Sequence, residues 1–150
     1  MSEPGYTPPD LLLLGDDHVR AYRETNGETG YLWNGVPTLL LTVTGRRSGR
    51  ELTRPLIFAR DGSDYLVVAS MGGAPKHPAW YVNLQANPRA QIQVKGERID
   101  VTAHTASADE KPRLWKIVTD VWPNYDAYQS RTDRDIPVVV LSPTGRAPSS

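Results

Sequence analysis

Thr38-Leu-Leu-Leu-Thr-Val-Thr44 is followed by Gly45-Arg-Arg-Ser-Gly-Arg-Glu-Leu-Thr53 and then by Arg54-Pro-Leu-Ile-Phe-Ala59. The outer runs are short, apolar and rich in strand-forming residues, and a polar, glycine-bearing segment separates them, so the stretch reads as two strands joined by a basic turn. Outward from it the same signal repeats. Asp61-Gly62, a pair that tolerates the positive φ of tight hairpin turns, leads into a third strand at Asp64-Tyr-Leu-Val-Val-Ala69. Ala90-Gln-Ile-Gln-Val-Lys95 and Arg98-Ile-Asp-Val-Thr-Ala-His104 flank Gly96, and the alternation of Ile92, Val94, Ile99 and Val101 with polar neighbours predicts a hairpin with one buried face. Ile136-Pro-Val-Val-Val-Leu141 is continuously apolar, as expected of a strand buried on both sides or closing a barrel.

Helical spacing interrupts these strands. Asp16–Glu24 predicts a short amphipathic helix with Val19 and Tyr22 on one face, stopped by Asn26-Gly27. Pro78-Ala-Trp-Tyr-Val-Asn-Leu-Gln-Ala86 predicts a second, its proline suited to the first turn. Ser107-Ala-Asp-Glu110 has capping-box spacing and precedes Leu114, Trp115, Val118, Val121 and Trp122 at helical intervals, with Pro123 ending the run. Six strands and about three helices predict an α+β, mainly β fold: a small barrel with flanking helices.

At 150 residues the chain fits one domain, since single domains most often run to about 100–150 residues. Proline- and glycine-rich ends predict mobile segments at 1–15 and 144–150 around a domain spanning 16–143. Seventeen Lys+Arg balance seventeen Asp+Glu, so nothing global points to a nucleic-acid partner, and an anion site must come from local clustering. The absence of cysteine excludes disulfides, thiolate metal sites and a catalytic thiol, and the three histidines follow no ligand spacing, so no metal is expected. Leu11–Leu14 is too short for a membrane span and no basic leader precedes it, which predicts a cytoplasmic protein.

Three clusters carry the chemistry. Arg46, Arg47, Arg50 and Arg54, with Gly45, Ser48, Gly49 and Thr53, supply guanidinium forks, hydroxyls and accessible backbone amides, the groups that grip phosphate or carboxylate oxygens. A solvated turn is the competing reading, and no Walker motif is present. Ser70-Met-Gly-Gly-Ala-Pro-Lys-His-Pro-Ala-Trp-Tyr-Val-Asn83 runs from a buried strand through a glycine loop into a helix N-terminus, a second place for an anion or an electron-rich ring edge. Trp80 and Tyr81 read equally as core anchors. Trp122-Pro-Asn-Tyr125-Asp-Ala-Tyr128 sets two tyrosines on one helical face, either lining an apolar pocket or packing with hydroxyls at its rim. No hydrolytic constellation accompanies them.

Taken in order, Gly45-Arg-Arg-Ser-Gly, Arg54-Pro-Leu, Val-Ala-Ser70-Met-Gly-Gly, Pro78-Ala-Trp-Tyr-Val-Asn-Leu-Gln-Ala-Asn-Pro88, Tyr-x-x-Tyr and Thr132-Asp-Arg-Asp-Ile-Pro resemble the deazaflavin-dependent nitroreductase family, from about Val19 to Pro143. The resemblance implies a six-stranded split β-barrel, of the FMN-binding split-barrel type, that binds coenzyme F420 and passes hydride to quinones, nitroaromatics or enones. It places the cofactor's phosphate and tail on Arg46, Arg47, Ser48 and the strand Leu52, Thr53, Arg54, Pro55, Leu56 and Ile57. Val68, Ala69, Ser70 and Met71 then run beside the ring, and Ala79, Trp80, Tyr81, Val82 and Asn83 complete the site. Ser70, Tyr125 and Tyr128 become the catalytic candidates, as donors to the oxygen that turns negative, with Tyr125 also touching the cofactor and Trp122 and Tyr128 shaping the substrate pocket. Trp122 stands where the nitroimidazole-activating member has tyrosine, which argues against nitroimidazoles. A homodimer and transient contact with the inner face of the membrane are compatible with the resemblance. The alternatives are an FMN-dependent oxidoreductase of the same barrel and a non-catalytic deazaflavin carrier.

Overall fold

A computed structural model describes residues 15–33, 35–70 and 73–144. The expected mobile ends, apart from Gly15 and Thr144, lie outside the described residues, as do Leu11–Leu14. In chain order the elements are α1 (Gly15–Glu24), β1 (Leu32–Trp33), β2 (Val36–Thr44), β3 (Glu51–Ile57), β4 (Ala59–Asp61), β5 (Asp64–Val68), α2 (Ala79–Ala86), β6 (Arg89–Val94), β7 (Glu97–Thr105), α3 (Lys111–Val121), α4 (Asn124–Ser130) and β8 (Val138–Pro143).

One antiparallel sheet runs in the order β1-β2-β6-β7-β8-β5-β4, and β3 pairs with β2 from Thr38 opposite Ile57 to Thr44 opposite Glu51. β3 and β4, at opposite ends of this arrangement, are separated in the chain by Phe58 alone, so the sheet has to curl back on itself. The result is a curled half-barrel, and period-two alternation sorts its side chains onto two faces. Tyr65 and Val67 of β5, with Val139 and Leu141 of β8, point inward to a core shared with Leu39, Leu41, Val43, Ile92, Ile99 and Val101. Leu66 and Val68, with Val138 and Val140, point outward to a second core under Leu114, Val118, Trp122 and Tyr125 of the α3–α4 layer. This explains why the last strand is apolar throughout: it lies between β5 and β7 and is covered on both faces. The β6–β7 hairpin, by contrast, buries Ile92, Ile99 and Val101 and exposes Gln91, Arg98 and Asp100, as its alternation predicts, but Gln93 departs from it, buried with its Nε2 donating to the Lys95 carbonyl at 2.8 Å, and Val94 is only half-buried.

Several expectations are corrected. Among the described residues there are eight strands rather than six and four helices rather than three. β1, two residues long, is too short to carry a period. The predicted strand Arg54–Ala59 begins earlier, at Glu51, and breaks at Phe58, whose N–H turns to the Pro37 carbonyl at 3.2 Å. The hairpin after β4 has Gly62 and Ser63 as its loop rather than Asp61 and Gly62: Asp61 pairs with Asp64, and Gly62 alone takes the positive φ, +61°. The fourth helix is α4, which restarts directly after Pro123 and carries the helical turn read for Tyr125 and Tyr128 but left out of the count.

The reciprocal Ser107–Glu110 pair forms, but it closes the turn before α3, which begins at Lys111 rather than near Ser107. The Ser107 N–H donates to Glu110 Oε1 at 3.0 Å and the Glu110 N–H to Ser107 Oγ at 3.2 Å. α1 lies on the outer face of β2, where Val19 and Tyr22 meet Leu40, and the Tyr22 hydroxyl bridges the Thr38 carbonyl and the Lys95 N–H.

Candidate active site

The basic turn is held by its own backbone. The Gly45 N–H donates to the Arg50 carbonyl at 2.7 Å and the Gly49 N–H to the Gly45 carbonyl at 2.9 Å, with Gly49 at φ +71°, a conformation costly for other residues. Ser48 Oγ accepts the Arg50 N–H at 3.1 Å, so its lone pairs are partly spent inside the turn. Arg46 and Asn83, both predicted to bind cofactor, meet each other: the Arg46 N–H and Nη1 donate to Asn83 Oδ1 at 3.1 and 2.7 Å, which fixes the turn to α2. Arg47, Arg50 and Arg54 remain exposed and make no ion pair among the described residues.

Strand alternation divides the predicted run Leu52–Ile57. Leu52, Arg54 and Leu56 stand opposite Val43, Leu41 and Leu39, on the inward face; Thr53, Pro55 and Ile57 stand opposite Thr42, Leu40 and Thr38, on the other. Thr53 Oγ1 sits 2.8 Å from Thr42 Oγ1 and accepts Arg23 Nη2 at 3.0 Å. Arg23, in the last turn of α1, is thus a further cation at the strand that sequence reasoning missed, because thirty residues separate it from Thr53.

The second wall begins where β5 ends. Val68 packs in the outer core and Ala69 in the inner one. Ser70 is 8 % exposed, and neither its N–H nor its hydroxyl has a hydrogen-bond partner among the described residues. The carbonyls of Ala69, Ser70 and Ala74 all turn toward Arg134, which donates to them at 3.1, 2.7 and 2.8 Å and to His77 Nδ1 at 3.0 Å. Gly73, at φ +85°, lies so close to α4 that a Cβ there would stand 2.5 Å from the Tyr128 carbonyl oxygen. Met71 lies outside the described residues.

α2 and α4 close the region. Trp80 and Tyr81 are core anchors, and the Tyr81 hydroxyl is engaged with Thr105 Oγ1 at 2.8 Å; Ala79 is exposed and Val82 half-buried. Tyr125 is 5 % exposed, its ring 6.1 Å from that of Tyr128, and its hydroxyl has no hydrogen-bond partner among the described residues. Burial, with a smaller contribution from Tyr128, pushes the Tyr125 hydroxyl well above the ordinary tyrosine range, so it stays protonated and is a donor. Tyr128 is half-buried and accepts Trp122 Nε1 at 3.4 Å, which leaves its own proton free to be donated. Trp122 is buried and its ring packs 5.8 Å from Trp33, an aromatic neighbour the sequence did not single out.

A family model described as F420H(2)-dependent quinone reductase matches residues 16–143. The chain belongs to that family. An F420H(2)-dependent quinone reductase of Mycobacterium tuberculosis is 47% identical over 129 residues, covering 83% of this chain and 87% of its own. Among solved structures, an F420-H2 dependent reductase is 39% identical with a TM-score of 0.66, covering 71% of this chain and 94% of its own. A second, described as a domain-swapped dimer, is likewise 39% identical with a TM-score of 0.67, covering 71% and 80%.

The residues present suit the coenzyme F420 of this family. Three exposed guanidiniums without carboxylate partners match a phosphate-bearing, anionic tail, and buried donors at Ser70 and Tyr125 match polar ring atoms. Among the described residues no three His, Cys, Asp or Glu side chains come together as a metal site would require, and no helix is long and apolar enough to cross a membrane.

Proposed function

We propose that this chain passes hydride from reduced coenzyme F420 to a quinone, within a split barrel whose cofactor-binding unit is residues 16–143. The observation that carries the reading is the pair of buried donors at Ser70 and Tyr125 that find no partner among the described residues, together with an arginine turn that makes no ion pair there. A buried hydrogen-bonding group left unmade costs about 1–3 kcal/mol, so a fold that keeps two has a use for them when ligand is bound.

The deazaflavin carries the hydride chemistry itself. Arg47, Arg50 and Arg54 hold its charged tail, while Arg46 and Asn83 fix the turn against α2. Val68 and Ala69, packed in the outer and inner cores, fix the end of β5 from which Ser70 donates to a ring or substrate oxygen. Tyr125 and Tyr128 donate to the quinone oxygen as it becomes negative, and Trp122, held against Trp33, shapes the pocket for a flat acceptor. Nitroaromatic and enone acceptors share a receiving carbon or nitrogen next to an oxygen that gains charge, and belong to the same proposal. A homodimer is part of it too, supported by the solved relative described as a domain-swapped dimer.

Fluorescence titration of the purified chain with oxidised F420 and with FMN tests the cofactor, and oxidation of reduced F420 with a soluble naphthoquinone tests the reaction. Tight binding of F420 with quinone-dependent turnover is expected. Binding of FMN alone points to a flavin enzyme, and F420 binding without turnover over a panel of acceptors points to a carrier; either overturns the proposal.

A further inference from the structure

Arg134 lies outside the proposed cofactor and substrate contacts, yet it organises the loop that carries Ser70. Its guanidinium donates to the carbonyls of Ala69 at 3.1 Å, Ser70 at 2.7 Å and Ala74 at 2.8 Å, and to His77 Nδ1 at 3.0 Å. These acceptors lie 57 to 65 residues away in the chain and include no carboxylate. None of the ion pairs among the described residues includes Arg134, and the neighbouring Asp135 is engaged by Lys111. Among the described residues this half-buried positive charge is therefore met by three peptide carbonyls and a neutral ring nitrogen.

The geometry of the peptide unit transmits that charge. None of the described peptide bonds is cis, and in a trans peptide the C=O of one residue and the N–H of the next point in opposite directions. The Ala69 carbonyl aims at Arg134, so the Ser70 N–H of the same peptide aims away from it, and this is the amide that finds no partner among the described residues. A charge-assisted bond at the oxygen end polarises the unit and makes its N–H a stronger donor. His77 completes the clamp. Arginine only donates, so Nδ1 accepts and the ring proton sits on Nε2. The histidine is neutral in this arrangement, and burial together with the Arg134 charge lowers its pKa.

We propose that Arg134 is a positioning residue of this reductase: from the segment between α4 and β8 it ties together Ala69, Ser70, Ala74 and His77, and it polarises the peptide that presents the Ser70 N–H to negative charge developing in the site. The role rests on the proposed hydride transfer. It differs from that of the arginine turn, because Arg134 acts on the reacting end and not on the tail.

Arg134→Gln and Arg134→Ala, with Arg134→Lys as a milder second variant, test it against the full-length wild-type chain. Hydride transfer at saturating reduced F420 and naphthoquinone should fall about 10- to 100-fold in Arg134→Gln, part of the range for loss of an oxyanion-stabilising group. The dissociation constant for oxidised F420 should change less than about threefold. Millimolar guanidinium should restore part of the rate to Arg134→Ala, a response that general destabilisation does not give. In the ligand-free protein, nitrogen NMR of the His77 ring should show the Nε2–H tautomer in the wild type and a mixture in Arg134→Gln.

A saturated rate within twofold of wild type overturns the proposal, as does a slow variant that guanidinium leaves unchanged. If Arg134→Gln and Arg134→Ala fail to fold, Arg134→Lys decides by the same rate and tautomer measurements. A wild-type chain with no quinone turnover overturns the proposed function instead, and the ligand-free tautomer measurement then decides the clamp: a His77 ring unchanged by Arg134→Gln removes it.

Discussion

The Gly45–Arg54 wall is continuous in sequence, exposed, and shaped by bonds within its own turn, whereas the Ser70 wall is discontinuous, buried, and held by Arg134 from 64 residues away. The difference bears on what each does. Exposed guanidiniums act through solvent, where attraction is modest and salt-screened, and so contribute mainly affinity. Buried donors act where water is excluded and a fixed dipole is strongest, so they contribute mainly to the reacting state.

The largest test of this division is Tyr125→Phe. Turnover should fall about 10²- to 10³-fold if the hydroxyl acts as an oxyanion-hole donor. The ligand-free protein should gain roughly 1 kcal/mol of stability, because an unpaired buried hydroxyl is removed. Undiminished turnover takes Tyr125 out of the role. Next come Arg47→Ala and Arg54→Ala, each expected to weaken F420 binding about 10- to 100-fold, as loss of a charge-assisted hydrogen bond of about 1.5–3 kcal/mol implies. The rate at saturation should hold, and the effect should shrink in high salt. A slowed rate with intact affinity would put these arginines in the chemistry and erase the contrast.

Ser107→Ala is a control remote from both walls. Losing half of the capping box should cost about 1 kcal/mol in thermal unfolding, with no change in F420 affinity. The smallest effect is a pH slope. Burial, then the charge of Arg134, holds the His77 pKa below its ordinary 6.5. As pH falls, the unfolded chain binds this proton first, so stability is full above 6.5 and declines below it until the folded-state pKa is reached. His77→Gln should therefore flatten the fall in melting temperature between about pH 7 and about pH 5. An unchanged slope means that His77 does not titrate against Arg134.

How much was legible follows the same line as the two walls. The arginine turn, the capping box and the β6–β7 hairpin were readable because their interactions lie within a few residues, where spacing alone sets geometry. Phe58 was not, since nothing local distinguishes a strand that continues from one that bends around a closing sheet. Nor was Arg23, or the division of Leu52–Ile57 between two faces, which depends on the register with β2.

The sequence by itself determined where the longer strands and the first three helices lie in outline and where the turn's cations concentrate, because hydrophobic period and turn chemistry are local. Only the tertiary structure decided which groups are spent on the protein and which stay free for a ligand. Asn83 Oδ1, on a predicted cofactor contact, accepts from Arg46, while the Tyr125 hydroxyl and the Ser70 amide have no partners among the described residues. That outcome depends on where distant donors such as Arg134 come to rest, since a hydrogen bond is fixed by positions in space and each group can make only a few.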